Sequence, residues 1–466
     1  MLVQLTESSW AVERTKVPEA APLAQVRKGM LGLYPHPALF ETKRGFQDID
    51  GSKTMFMLDK LLEIKLVDNI WYIDGKGPFE QYVAACYALV NDANQPLCER
   101  LRQVTKLLSL PEEYPIMLTL GYSAARFFEH LPQMTAEQGE PEVLMRVYRY
   151  LVHYDHGDDA EKGAQIDVLK TQHDEVVNTQ ILVDALTQPE QSSAPMKPWQ
   201  LGSIKDLTEK DAFYAAVERA KEHIRIGDIY QVQLCRRAIS NAAIPPVDLY
   251  ERLVSINPAP YMYYLDLGDR HVISSSPELM LRVSGGMAQV RPIAGTMTHE
   301  EYGGSPLEKI PKEAAEHLML VDLARNDLAR CAVTGGVKVS SFMQEDAYGP
   351  LLHLVSTIDT PVRRECDIWD LIATNFPAGT MTGAPKIRAM EIISDLEQAA
   401  RGLYTGCAGY ISGTNSAVLA LTIRTIIGDS GLYLLQSAAG VVADSQASSE
   451  WEEAGAKINS FSRAMG

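Results

Sequence analysis

The sequence predicts a mixed α/β (α+β) protein with much of its sheet in the C-terminal half. Three observations predict it. Short runs rich in β-branched and aromatic residues, such as "YMYYLDL", "HVISSS" and "LYLLQSAAGVV", alternate with long segments whose apolar residues recur at helical spacing. No fixed-period repeat or low-complexity tract interrupts them. The composition, 46% hydrophobic and 22% charged, is that of an ordinary folded protein, and 466 residues imply two to three lobes rather than one core.

Taken in order, residues 1–186 form an N-terminal region with strand-like pieces such as "NIWYIDG" and a helical piece, "FEQYVAACYALVND". The stretch "TQPEQSSAPMKPW", with its prolines and paired serines, predicts a linker over 187–200. Residues 201–466 are more densely patterned. Phe213, Ala216, Val217, Ala220 and Ile224 share one helix face, with Thr208 as the expected cap, Gly227 as the stop and a strand through Ile229, Val232 and Leu234 beyond it. "AEHLMLVDLARNDLARCA" and "PKIRAMEIISDLEQAA" predict two further helices, the second with Pro385 in its first turn. "CAGYISG" and "AVLALTIRTII" each read as one strand, and "SEWEEAGAKINSFSRAM" as a helix capped by Ser448 or Ser449.

The formal net charge is -17, and no basic cluster stands against it, so nucleic acid is not an expected partner. No stretch approaches the length of a bilayer span, and the first residues lack a signal-like pattern. Six cysteines without a CxxC pair read as reduced thiols in a cytoplasmic protein, with no zinc site and no membrane association.

Carboxylates carry the chemistry that spacing alone suggests. On a helix, Glu450 and Glu453 share a face while Glu452 points elsewhere. The ordinary reading is acidic residues complementing a helix dipole. Glu316, at the start of another amphipathic helix, adds a third carboxylate; together they would suit Mg²⁺, a hard cation that keeps positions open for water or substrate.

Five motifs occur in one order: "RPIAGT" (Arg291–Thr296), "EHLMLVDLARND" (Glu316–Asp327), "FPAGTMTGAPKIRAMEII" (Phe376–Ile393), "TIRT" (Thr422–Thr425) and "SSEWEEAGAK" (Ser448–Lys457). In these the chain resembles the chorismate-utilising enzymes, most of all the large subunit (component I) of anthranilate synthase, over essentially everything after the linker. The resemblance implies a fold of two intertwined subdomains with large, mostly antiparallel sheets and helices outside. It also implies a lyase that turns chorismate and ammonia into anthranilate and pyruvate through 2-amino-2-deoxyisochorismate.

Site residues follow from the same resemblance. Glu278 in "SSSPELMLRV" matches the general acid that protonates the leaving hydroxyl, and Glu316, Glu450 and Glu453 match the Mg²⁺ ligands. Arg424 and Tyr404 match groups that hold a substrate carboxylate; Gly295, Thr380, Gly440 and Lys457 match further substrate contacts. His353 in "YGPLLHLVST" matches a histidine used when pyruvate is eliminated, although a lone histidine in an apolar run is more often a packed core residue.

Two positions sort the subfamily. Isochorismate and salicylate synthases carry a lysine base where this chain has Gln231, and aminodeoxychorismate synthases carry a lysine nucleophile where it has Ala294. Direct attack by ammonia is what remains. A 2-amino-2-deoxyisochorismate synthase that stops before pyruvate elimination, and a silent chorismate- or amino-acid-binding subunit, stay open as alternatives.

The chain contains no cysteine elbow followed by a suitably placed histidine, so ammonia is expected from solution or from a separate glutamine amidotransferase subunit. "LFETKRG", "SKTMFML" and "INPAPYMYY" resemble the family's tryptophan site, which maps to Leu39, Phe40, Glu41, Thr42, Lys53, Pro260, Tyr261 and Met262. Three departures stand out: "MTHEEYGGSPLEKIPKEA" replaces a longer basic loop, Val418 stands where an aspartate is usual, and Ala456 where an asparagine is usual.

Overall fold

The computed structural model describes residues 10–42, 53–155, 163–171, 177–189, 202–298, 306–348 and 351–465. Strands dominate, and every named pairing among them is antiparallel. The long strand Pro141–Asp155 is a branch point. On one side the sheet runs through Lys53–Val67, Ala38–Glu41, Tyr261–Asp266, His271–Ser276, Thr425–Asp429 and Leu432–Val441 to Gln231–Ser240. On the other it runs through Pro115–Leu120, Cys407–Ser412, Ser416–Leu421, Leu279–Ser284 and Met287–Val290 to Leu351–Pro361.

The two halves of the chain therefore share one sheet. Residues 38–41 and 115–120 lie between partners from both sides of the linker, so neither half presents a closed sheet by itself. Most of the expected linker, residues 190–200, lies outside the described residues. Helices pack over the outer faces: Pro311–Ala329 against Ile293–Thr298 and Leu351–Pro361, and Ala447–Asn459 against Leu432–Val441. Among the described residues no helix is long and apolar enough to cross a membrane.

The local patterns hold with corrections at several boundaries: the strand after Gly227 starts at Gln231, leaving Ile229 before it, and the helix that carries Glu316 starts earlier, at Pro311. The helix Lys210–Arg225 takes Glu209 as its N-cap; Thr208 uses its hydroxyl to accept the Arg237 amide at 2.9 Å, because the adjacent strand needs that bond. The last long helix starts one residue earlier than a serine cap allows, at Ala447 with Gln446 as N-cap, so Ser448 and Ser449 fall inside its first turn. Pro385 stands at the N-cap of Lys386–Leu396 rather than within it. The run "AVLALTIRTII" is two strands, Ser416–Leu421 and Thr425–Asp429, broken where Arg424 takes φ +49°.

That break defines a corner. His271–Ser276 pairs with Thr425–Asp429, and its continuation Leu279–Ser284 pairs with Ser416–Leu421. Both strand pairs change course at one level, at residues 277–278 and 422–424. The Leu421 amide donates to the Glu278 carbonyl at 3.0 Å, and the Ser275 amide to the Arg424 carbonyl at 3.1 Å. The corner brings the backbones of Glu278 and Arg424, far apart in the chain, into one strand pair, Glu278 opposite Leu421 and Arg424 opposite Ser275.

Candidate active site

Glu278 sits at the corner and is buried, 3% exposed. Thr380 Oγ1, on the tight turn Gly379–Met381, donates to its Oε1 at 2.8 Å. Burial pushes the carboxyl up to about 8; the Thr380 hydroxyl and the Ile293 amide pull the other way without overcoming it. At neutral pH this side chain therefore keeps its proton, the state required of an acid.

Arg424 contributes a cation. Its backbone is in the left-handed region that non-glycine residues rarely adopt, the kind of strain that clusters at functional sites. Its guanidinium makes no hydrogen bond or ion pair among the described residues, and burial disfavours its charged form while Tyr404 and Glu453 favour it. Tyr404, 4% exposed, has its phenol pushed well above the ordinary value by burial and so remains a hydrogen-bond donor. An unpaired, partly desolvated cation beside a phenol donor is a ready site for a carboxylate.

The next wall is formed by the strand Gln231–Ser240 and its neighbour Leu432–Val441. Gln231 is 1% exposed; its Nε2 donates to Glu316 Oε1 at 2.6 Å, and its Oε1 is buried without a partner. Gly440 lies opposite Gln233. A Cβ on Gly440 would fall 2.6 Å from Gln231 Nε2, 3.0 Å from Gln233 Nε2 and 3.4 Å from Glu316 Oε1, so the glycine is what lets these side chains lie across the strand.

The helix Ala447–Asn459, which carries two of the expected carboxylates, packs on this wall. Glu450 is buried, 5% exposed, and Glu453 accepts a bond from Lys457 Nζ at 2.7 Å, while the same ammonium donates to the Ala438 carbonyl at 2.8 Å. Trp451, between them, lies under the Arg236 guanidinium at 3.6 Å and fixes the helix on the sheet. The donor set is the hard oxygen chemistry Mg²⁺ takes, but the side chains are not drawn into a ligand shell: Glu316 is bound to Gln231, Glu453 to Lys457, and among the described residues no three Asp, Glu, His or Cys groups stand close enough to hold a metal.

Gly295 stands where the pairing of Ile293–Thr298 with Leu351–Pro361 slips, between Ala294 and Thr296. His353 faces Thr296 directly beyond that slip and is 3% exposed. The expected tryptophan positions also meet in part: Glu41 pairs with Met262 across adjacent strands, with Pro260 and Tyr261 buried beside them. The Glu41 carboxylate is held by Arg27 through two bonds of 3.1 Å and by the Tyr250 hydroxyl at 3.3 Å. Thr42 is buried; Lys53 joins the sheet opposite Asp155, and its side chain lies outside the described residues.

Several residues the motifs did not single out support the site. Gln233 shares the Gly440 cradle, His317 binds Ser356 Oγ at 2.6 Å next to Glu316, and Arg401 lies beneath Tyr404. Arg401 is the first residue of "RGLYTGCAG", but a buried role for an arginine has no local signature.

The family model described as chorismate binding enzyme matches residues 38–463. The chain is 38% identical over 347 residues to the 2-amino-4-deoxychorismate synthase of Streptomyces globisporus, covering 73% of this chain and 70% of that protein. It is 44% identical over 262 residues to anthranilate synthase component 1 of Aquifex aeolicus, covering 55% and 53%. The crystal structure of anthranilate synthase component I from Streptococcus pneumoniae superposes with a TM-score of 0.70 at 29% identity, over 89% of this chain and 93% of that one. The match from residue 38 to residue 463 makes this chain a member of the chorismate binding enzyme family.

Proposed function

We propose that this chain is the chorismate-aminating subunit of an anthranilate synthase, converting chorismate and ammonia through 2-amino-2-deoxyisochorismate into anthranilate and pyruvate. The corner carries the reading. A buried carboxyl that is protonated at neutral pH stands at the same corner as a buried cation that makes no ion pair among the described residues. Removing a hydroxyl group from an anionic ring needs both, an acid for the leaving oxygen and a grip on the carboxylate.

In this reading Arg424 and Tyr404 hold one carboxylate and Glu278 gives its proton to the departing hydroxyl. The buried Gln231 Oε1, lacking a donor, accepts an N–H of the incoming ammonia. Ala294 offers no amine, so the ring is not captured covalently by the protein there. His353, beyond the slip at Gly295, assists loss of pyruvate, while the backbone at Gly295 and Gly440 and the Lys457 ammonium line the substrate space. Glu316, Glu450 and Glu453 are the residues that would hold Mg²⁺, a Lewis acid that polarises a carboxylate. Holding it requires Glu316 and Glu453 to leave their present partners.

Ammonia is supplied by a separate glutamine amidotransferase subunit, and the six free cysteines suit the reducing cytoplasm. Tryptophan as an inhibitor at Glu41, Thr42, Lys53, Pro260, Tyr261 and Met262 belongs to the same proposal. It must compete with Arg27 for Glu41, and titration calorimetry that gives no heat with L-tryptophan removes it.

A second reading, ring amination without loss of pyruvate, is favoured by the relative from Streptomyces globisporus, whose name keeps chorismate in its product. One assay separates them. With chorismate, Mg²⁺ and ammonium, anthranilate fluorescence and pyruvate rise together in the first reading; chorismate disappears without either in the second. Unconsumed chorismate overturns both.

A further inference from the structure

Beneath the site lies an arginine whose guanidinium touches none of the proposed reacting groups yet binds residues next to several of them. Arg401 is 2% exposed, and every donor of its guanidinium is used. Nε and Nη2 bind the two oxygens of Glu397 at 2.9 and 2.6 Å. Nη1 donates to the Met381 carbonyl at 2.8 Å and to Thr405 Oγ1 at 3.4 Å, and Nη2 donates to the Gln233 carbonyl at 2.8 Å. Its face lies 4.7 Å from the ring centre of Tyr122, which comes from the N-terminal half of the chain.

These acceptors are not scattered. Met381 follows Thr380, whose hydroxyl binds Glu278; Gln233 lies two residues along the strand from Gln231; Thr405 follows Tyr404 and bonds through its amide to the Thr422 carbonyl, two residues before Arg424. The Arg401 carbonyl accepts the Tyr404 amide at 3.2 Å and Gln436 Nε2 at 3.0 Å. The Gln233 amide also binds the Thr382 carbonyl at 2.9 Å, so the turn and the strand are joined twice. A fork of five N–H groups with fixed geometry suits this task, which a single ammonium cannot repeat.

We propose that Arg401 is a positioning residue: by holding the Gly379–Met381 turn, the Gln231–Ser240 strand and the Tyr404 loop on one guanidinium, it sets the acid, the nitrogen-accepting wall and the carboxylate grip in mutual register. The inference rests on the function proposed above for those groups. Its consequence is that Arg401 controls chemistry rather than affinity, through Thr380 and Glu278.

Arg401→Lys tests it, since lysine keeps the charge beside Glu397 but cannot reach both carbonyls. Chorismate consumption with ammonium is followed, whichever product forms. The expected result is a folded protein by circular dichroism whose kcat falls about 100-fold, the effect of a misplacement near 1 Å, with KM changed far less. The alkaline limb of kcat should move to higher pH, because Thr380 no longer favours the Glu278 carboxylate. A lowered Tm with kcat and limb unchanged overturns the proposal, because that is the signature of packing alone. If Arg401→Lys does not fold, Tyr122→Leu, which removes the ring under the guanidinium, should move kcat and the limb in the same directions by less; no change in either overturns it. Infrared titration of the protonated Glu278 carboxyl, identified by its loss in Glu278→Gln, reads the same shift without turnover. A wild type that consumes no chorismate while this band still moves in Arg401→Lys sinks the proposed function and leaves the positioning role standing; an unmoved band sinks the positioning role.

Discussion

At the scale of the residue, Glu278 joins burial to chemistry. Its carboxyl titrates near 8 instead of about 4.3, the ordinary glutamate value, because desolvation outweighs two hydrogen bonds to the charged form. The folded state therefore keeps a proton that the unfolded chain releases. Its contribution to stability is fully present below the unfolded value and is lost as pH rises through about 8. Glu278→Gln, neutral at every pH, should match the wild type in urea midpoint near pH 4 and exceed it by a growing margin up to pH 8.5. The same variant should lose about 100- to 10,000-fold in kcat, the usual range for a positioned acid. Equal midpoints at pH 8.5 would mean that Glu278 is ionised in the fold. Activity and stability thus oppose each other at one side chain.

At the scale of the element, the strands Leu432–Val441 and Gln231–Ser240 make a wall only because Gly440 has no side chain. Gly440→Ala places a methyl group 2.6 Å from Gln231 Nε2, with Glu316 Oε1 just beyond. The expected outcome is a stability loss of about 1–3 kcal/mol, typical of overpacking, together with a larger fall in kcat/KM than thermal stability alone explains. Denaturant melts and initial rates on the same preparation check it; full activity would show that Gln231 and Glu316 can swing aside freely. The other element with two roles is the break at Thr422–Arg424. Continuing the strand would leave no corner for Glu278 and would return Arg424 to the regular alternation of a sheet.

At the scale of the molecule, the sheet does not respect the linker. Ala38–Glu41 and Pro115–Leu120 from the N-terminal half are interior strands between C-terminal neighbours and their own, and Tyr122 supports Arg401 from below. Residues 201–466 expressed alone should therefore expose unpaired sheet edges and fail to give a soluble, cooperatively melting protein, while co-expression with residues 1–189 should restore one. Size-exclusion chromatography and thermal melts decide this; a monodisperse, cooperative 201–466 fragment would show that the halves fold independently.

Much of this was legible in the sequence. Periodicity located the helices Lys210–Arg225, Pro311–Ala329 and Lys386–Leu396, and most of the C-terminal strands, because their apolar spacing reflects a neighbour on one side only. Helical spacing also put Glu450 and Glu453 on one face, a relation fixed within a single turn. Caps were less legible: Thr208 was taken by a strand amide, and the helix of Ala447–Asn459 began before its serines. The motifs supplied the family, and with it the residues proposed here as acid, carboxylate-binding arginine and metal-holding glutamates.

Only the tertiary structure decided which state those residues are in. Nothing near position 278 says that a threonine from 380 and an amide from 293 enclose its carboxyl, or that the apolar run through 416–427 breaks at an arginine to make the corner. Nor does local sequence show that Glu316 is tied to Gln231, or that Arg401 joins two distant backbones, at Met381 and Gln233. Spacing along a chain constrains contacts within a turn or a strand. Proton affinity, an unpaired charge and a shared hydrogen-bond hub depend on what arrives from far along the chain, and only the closed fold fixes that.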